Sequence, residues 1–201
     1  MEDYALVVDL EVDLGEDRKD PSPYNKENTL VAIGYTYRSL DGSPIWNSDG
    51  SPFFIKKFPA DDHYIPELKK IINEATYIVM HNAKFDVAWL REAGINCRSK
   101  IIDTMINEYI LNKGVRGKLG LKALAEKYDL TRKQDSLADA FKEGLNYSDM
   151  SEEDQLNYLY HDVMATAELF EKQEKKFRCK ENMSLIPIRD LMCEFCDVLT
   201  D

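Results

Sequence analysis

Two apolar, β-branched runs open this chain, YALVVDLE (Tyr4–Glu11) and TLVAIGYTY (Thr29–Tyr37), and a pair of strands at the start narrows the folds open to the rest. After a turn at Asp41-Gly42 comes a third short run, FFIKKF (Phe53–Phe58), with hairpin-like spacing. Beyond it the period changes. Ile65, Leu68, Ile71 and Ile72 have helical spacing across residues 64–75, and TYIVMHN then returns to a short β pattern. A helix is expected from Lys84 to Glu92 with Gly94 as its stop, then the strand KIID and two helical stretches, TMINEYILN and LKALAEKYD. Finally Ser151 opens SEEDQLNYLYHDVMATAELFEKQEKKF, where Ser151 and Asp154 have the spacing of a helix cap with a reciprocal acid. Three antiparallel strands followed by alternating helix and parallel strand predict an α/β fold, a mixed sheet flanked by helices on both faces.

With 201 residues, 44% of them hydrophobic and 31% charged, the chain is sized for one globular domain with a full core. No apolar run approaches the roughly 20 residues of a membrane span, and MEDYALVV lacks the basic start and cleavage site of a secretory signal. A soluble cytoplasmic protein without a membrane partner is expected. Among Cys97, Cys179, Cys193 and Cys196 only the last two are closely spaced, in the apolar stretch MCEFCDVL, with no second pair to complete a zinc site. Reduced thiols are the expectation. The net charge of -11 argues against a protein that coats duplex DNA, although a grip on a few nucleotides needs only a local basic patch. LNKGVRGKLGLK offers one, with Lys113, Arg116, Lys118 and Lys122 around its glycines; a solvated loop leading into a helix would read the same way.

Four acids stand where apolar elements end or turn over. Asp9 and Glu11 are two residues apart, so on a strand their side chains leave the same face and can share an ion. Asp-x-Glu is common at solvated strand ends, but here Val7 and Val8 place the pair at the end of a buried run. Asp86 falls in the first turn of the helix after YIVMHN, where an acid also suits the macrodipole, and Asn82 lies four residues earlier at the turn. Tyr158 and Asp162 are four apart on the last long helix and therefore neighbours on one face. Oxygen ligands gathered without Cys or His suit Mg2+ or Mn2+, and two such ions can hold the attacking and leaving oxygens of a phosphodiester.

Taken in order, Asp-x-Glu, Asn-x-x-x-Asp and Tyr-x-x-x-Asp resemble the three exonuclease motifs of the DEDD superfamily, in the tyrosine-bearing branch that includes the proofreading domains of family A DNA polymerases. IIDTMINEYILN followed by LGLKALAEKYDL is similar to the stretches between those motifs, and the resemblance runs from about Leu6 to Phe177. It implies a ribonuclease H-like fold. It also implies two divalent metal ions, with Asp9, Glu11 and Asp162 holding the one that activates the water and Asp9 bridging to a second held by Asp86, partly through water. Tyr158 matches the water-orienting tyrosine, and Asn157 stands where the histidine branch would carry its base. His161 is then incidental.

The first motif departs from the family pattern, because Val12 and Asp13 follow Glu11 where members often carry Thr against the terminal nucleotide. Leu14 remains as an apolar wedge against the terminal base. The connection from Gly15 to Asn28 is long and charged, suited either to shaping substrate access or to disorder. MSLIPIRDLMCEFCDVLTD resembles the junction at which family A polymerases leave the exonuclease domain, so residues 1–180 are read as that domain and 181–201 as a C-terminal helix. The implied activity is 3′-5′ hydrolysis of single-stranded DNA or a frayed primer 3′ end to nucleoside monophosphates, as proofreading for a separate or covalently attached DNA polymerase. An RNA-trimming enzyme of the ribonuclease D type shares the chemistry, and a non-catalytic interaction module shares the fold.

Overall fold

β1 (Ala5–Asp13) is the spine of the molecule, and the computed structural model arranges β2 (Thr29–Arg38), β3 (Phe54–Lys57), β4 (Tyr77–Met80) and β5 (Lys100–Asp103) around it in the order β3-β2-β1-β4-β5. The structure describes residues 3–16, 18, 20–45, 54–57, 64–115, 117–131 and 144–198. β1–β2 and β2–β3 are antiparallel, while β4 joins β1 and β5 joins β4 in parallel. β3 is shorter than the run FFIKKF, whose two terminal phenylalanines lie outside the described residues.

Register explains why one end of β1 is open. β4 pairs only with Ala5, Leu6 and Val7 and ends at Met80, so the second half of β1, carrying Asp9 and Glu11, runs past its parallel neighbour. On the β2 side the pairing continues, with Gly34 opposite Asp9 and Ala32 opposite Glu11. Neither neighbour carries a bulky side chain, which leaves room above the two acids.

The alternation of β1 sends Leu6, Val8 and Leu10 to one face, where they pack with Ile33, Ile78 and Met80 against α1 (Tyr64–Glu74) and α2 (Ala83–Glu92) through Leu68, Ile72, Val87 and Leu90. Ala5 and Val7 point to the other face and meet Ala167 and Phe170 of the long helix α5 (Glu152–Phe177). Further along, Leu159 and Val163 of α5 pack on Val31 and Ala32. Two consecutive β2 residues reach that face because the β1–β2 register shifts between Glu11 and Val12, leaving Val31 as the extra residue. Each large side chain buried in this way contributes about 1.5–3 kcal/mol, enough to hold α5 along the full sheet. Asp162 lies within the second of these contact regions, between Leu159 and Val163.

α3 (Thr104–Leu111) and α4 (Leu121–Tyr128) pack on the same helix. Glu108, fully buried, accepts hydrogen bonds from Lys127 (2.5 Å), Tyr128 (2.9 Å) and Gln173 (3.2 Å), which ties α3, α4 and α5 at one point. α6 (Ile186–Val198) covers β5, α2 and α3. Its Arg189 pairs with buried Glu174 at 2.5 Å and lies 5.0 Å over the Phe177 ring, and its Asp190 pairs with Lys100 at 2.7 Å. The opposite face of α6 shows Ile188, Leu191 and Phe195 to solvent. No helix among the described residues is long and apolar enough to cross a membrane.

Candidate active site

Asp9 and Glu11 leave β1 on the α5 face, and Asp162 meets them from that helix. One carboxylate oxygen from each lies within 4.8 Å of the others, all three residues being half-buried. Three like charges at that separation repel, and a divalent cation bound among their oxygens removes the repulsion. The donor set is all oxygen, which fits a hard cation and not zinc in a thiolate or imidazole cage.

Asp86 approaches from the opposite helix layer. It is 3% exposed, and its carboxylate accepts from the N–H of Leu10, the residue between Asp9 and Glu11, and from its own backbone N–H. The open edge of β1 is what makes the Leu10 N–H available. Burial, then the neighbouring charges of Asp9 and Asp103, push the Asp86 carboxyl well above the usual carboxylate range, and the two N–H bonds offset this only in part. A cation beside it would favour the ionised form.

Tyr158 stands one turn before Asp162 on α5, half-buried, with its ring edge-on to Tyr147 at 6.4 Å. Tyr147 was not singled out by the motifs, although its phenol is pushed up by burial and then by the charges of Glu11 and Asp9. It lines the acid cluster while donating to the Gln155 carbonyl at 2.8 Å. His161, by contrast, commits Nδ1 to the Asn157 carbonyl of its own helix at 2.5 Å.

Asn82 is exposed at the start of α2 in the left-handed region (φ 65, ψ 51), a conformation Asn tolerates, and its side chain makes no cap bond to the helix. Leu14 is half-buried, held by a two-bond bracket in which its N–H donates to Asn146 Oδ1 (3.2 Å) and its carbonyl accepts from Asn146 Nδ2 (3.1 Å). Asp13 accepts from the Ser148 N–H at 3.1 Å, so the segment leaving β1 is fastened to the turn that precedes α5. The charged connection beyond it is bonded too, with Asn28 receiving the Gly15 N–H and donating to the Asp20 and Ser22 carbonyls. Lys113 and Lys118 are exposed on the α3–α4 connection, whereas Arg116 lies outside the described residues.

A family model described as 3′-5′ exonuclease matches residues 46–178. The chain belongs to that family. The match includes Asn82, Asp86, Tyr158 and Asp162 and begins after Asp9 and Glu11, which the folded geometry joins to Asp162. This exonuclease chain is 27% identical over 149 residues to DNA polymerase I of Borreliella burgdorferi, across 74% of its own length and 16% of that relative's. It therefore spans about a sixth of that polymerase. Its fold is similar to Brucella melitensis NrnC solved with Mg2+ and solved bound to pGG, at 16% and 18% identity with a TM-score of 0.70 in both, covering 99% of this chain and 84% of that one. Escherichia coli RNase D, an exoribonuclease involved in structured RNA processing, is similar at a TM-score of 0.69 and 16% identity, over 98% of this chain and 44% of that one. The ribonuclease H-like α/β architecture and the 3′-5′ exonuclease class of the DEDD superfamily are thereby established.

Proposed function

We propose that this chain is a two-metal 3′-5′ exonuclease of the tyrosine branch that removes nucleoside monophosphates from single-stranded or frayed DNA 3′ ends. The observation that carries the reading is the meeting of Asp9, Glu11 and Asp162 within 4.8 Å above the open end of β1. In it, Asp9, Glu11 and Asp162 hold one Mg2+ or Mn2+, and Asp9 with Asp86 holds a second. Bound there, the ions supply positive charge to the attacking and leaving oxygens of an in-line displacement. The Tyr158 hydroxyl orients the attacking water without ionising. Asn82 and Leu14 hold the terminal nucleotide, and Lys113, Arg116 and Lys118 contact the strand behind it.

The polymerase relative supports DNA as substrate and a DNA polymerase as partner. In this reading residues 1–180 are the exonuclease domain and the helix in 181–201 is its junction to a polymerase. A second reading, an exoribonuclease of the ribonuclease D type, is favoured by the likeness in fold to RNase D and to NrnC bound to pGG. Matched 5′-labelled DNA and RNA oligonucleotides with Mg2+ or Mn2+ separate the two. DNA is expected to be shortened from its 3′ end at least as fast as RNA. A preference for RNA of an order of magnitude overturns the DNA assignment, and no degradation of either makes the chain an interaction module.

A further inference from the structure

Asp103, the last residue of β5, belongs to none of the three motifs, yet its carboxylate is fastened to the element that carries one of them. It is 3% exposed. Oδ1 accepts from the N–H groups of Met105 (2.8 Å) and Ile106 (3.4 Å), which is an ordinary cap on α3. Oδ1 also accepts from the Asn82 N–H at 3.1 Å, and Oδ2 from the Ala83 N–H at 2.9 Å. Those two donors open α2, so a single side chain caps two helices. Asn82, at the position where a helix normally caps itself, leaves that task to Asp103 and keeps its own amide out of the cap.

The same turn is braced from the next residue. The Thr104 hydroxyl donates to the Met80 carbonyl at 3.2 Å and, its proton being used, accepts from His81 Nδ1 at 2.8 Å. The Asp103 backbone N–H in turn reaches Cys193 Sγ of α6 at 3.5 Å. β5 and the start of α3 thus hold residues 80–83 on both sides. Everything downstream in the first turn of α2, including the Asp86 carboxylate and its bond from Leu10, is set by where that turn is held.

We propose that Asp103 is a positioning residue of the nuclease site, which fixes the Asn82–Ala83 turn so that Asp86 arrives beside Asp9 in cation-binding geometry. The inference rests on the reading of Asp86 as a metal ligand. Removal of an outer partner that orients a ligand weakens metal binding by about 10–100-fold. Two variants separate this role from simple capping. Asp103→Ser retains an oxygen able to cap α3 and is too short to reach Asn82 and Ala83; Asp103→Asn keeps the shape and Oδ1 but turns an amide NH2, a donor, toward the Ala83 N–H.

The test titrates Mn2+ into the full-length wild type and both variants by electron paramagnetic resonance, alongside hydrolysis of a labelled single strand and thermal unfolding. Two Mn2+ sites are expected in the wild type. In Asp103→Ser the weaker site should bind about tenfold or more less tightly, with hydrolysis largely restored at saturating Mn2+, and Asp103→Asn should shift in the same direction by less. Lowered unfolding temperature with unchanged Mn2+ affinities and an unchanged metal dependence of hydrolysis overturns the proposal and makes Asp103 a structural cap only. Should Asp103→Ser fail to fold, Asp103→Asn decides alone by the same criterion. A wild type that binds no Mn2+ and hydrolyses nothing overturns the nuclease reading itself, an outcome distinct from unaltered affinity in an active enzyme.

Discussion

The acids at the site differ in what removing each one costs, because they differ in what surrounds them. Asp162 faces Asp9 and Glu11 within 4.8 Å, so in the absence of metal its deletion relieves repulsion. Asp162→Ala should therefore abolish hydrolysis while leaving the metal-free unfolding temperature unchanged or raised. Tyr158→Phe removes one hydroxyl from a ring whose packing on Tyr147 is kept, and the four acids stay in place. A loss of about 10²-fold in kcat is expected, with metal affinity unchanged. Rates of the two variants that fall equally, measured on the same single strand, would count against the water-orienting role proposed for Tyr158. Asp9, Glu11, Asp86 and Asp162 are legible in sequence because each sits at a fixed phase of an apolar period. Asp103, Tyr147 and Asn146 are not, since their roles come from contacts between segments far apart in the chain, 20 residues for Asp103 with Ala83 and 132 for Asn146 with Leu14, that no local pattern encodes.

Elements follow the periodicities closely where burial on one face enforces them, as in β1, β2, α2 and α5. The departures lie in local chemistry. Ser151 does cap α5 by accepting the Asp154 N–H at 3.1 Å, but its hydroxyl itself donates to the Asp154 carboxylate at 2.7 Å. The full reciprocal box is one turn earlier, between Asn146 and Asp149. The register shift at Val31 is equally unreadable, because an extra strand residue leaves the hydrophobic pattern of YALVVDLE and TLVAIGYTY intact. The Asp41-Gly42 turn is visible in sequence, though its tertiary role is not. Gly42 has φ 87, and a Cβ there would stand 2.8 Å from the Glu171 N of α5 and still closer to its Cα. The hairpin after β2 thus rests on the long helix through a residue without a side chain. Gly42→Ala combines left-handed strain with a backbone clash and should destabilise the protein by about 2–4 kcal/mol, read by denaturant unfolding. An effect below about 0.5 kcal/mol would mean that the hairpin lifts off α5 at little cost.

At the scale of the whole molecule, α6 has two faces with opposed consequences. Its inner face is built into the domain: Arg189 and Glu174 are each nearly buried and paired at 2.5 Å, and Cys193 meets the backbone of Asp103. Removing Arg189 strands a buried carboxylate, so Arg189→Met or deletion of residues 183–201 should destabilise the fold by about 3–5 kcal/mol. Such a truncation cannot report on docking, because it perturbs the residue that holds the Asn82 turn. The outer face is the separable part. Ile188, Leu191 and Phe195, at 49%, 56% and 51% exposure, recur at helical spacing and form a stripe more apolar than a solvated helix carries. If the exonuclease works beside a DNA polymerase, tethering through this stripe raises its effective concentration at the primer end and compensates for the weak DNA grip of a chain with net charge -11. Leu191→Glu with Phe195→Glu should then leave the unfolding temperature and the unassisted rate of single-strand hydrolysis unchanged. The same pair should abolish both pull-down by the cognate polymerase and stimulation of hydrolysis at a mismatched primer end. Binding and stimulation that persist in the double variant would reject the stripe as the docking face.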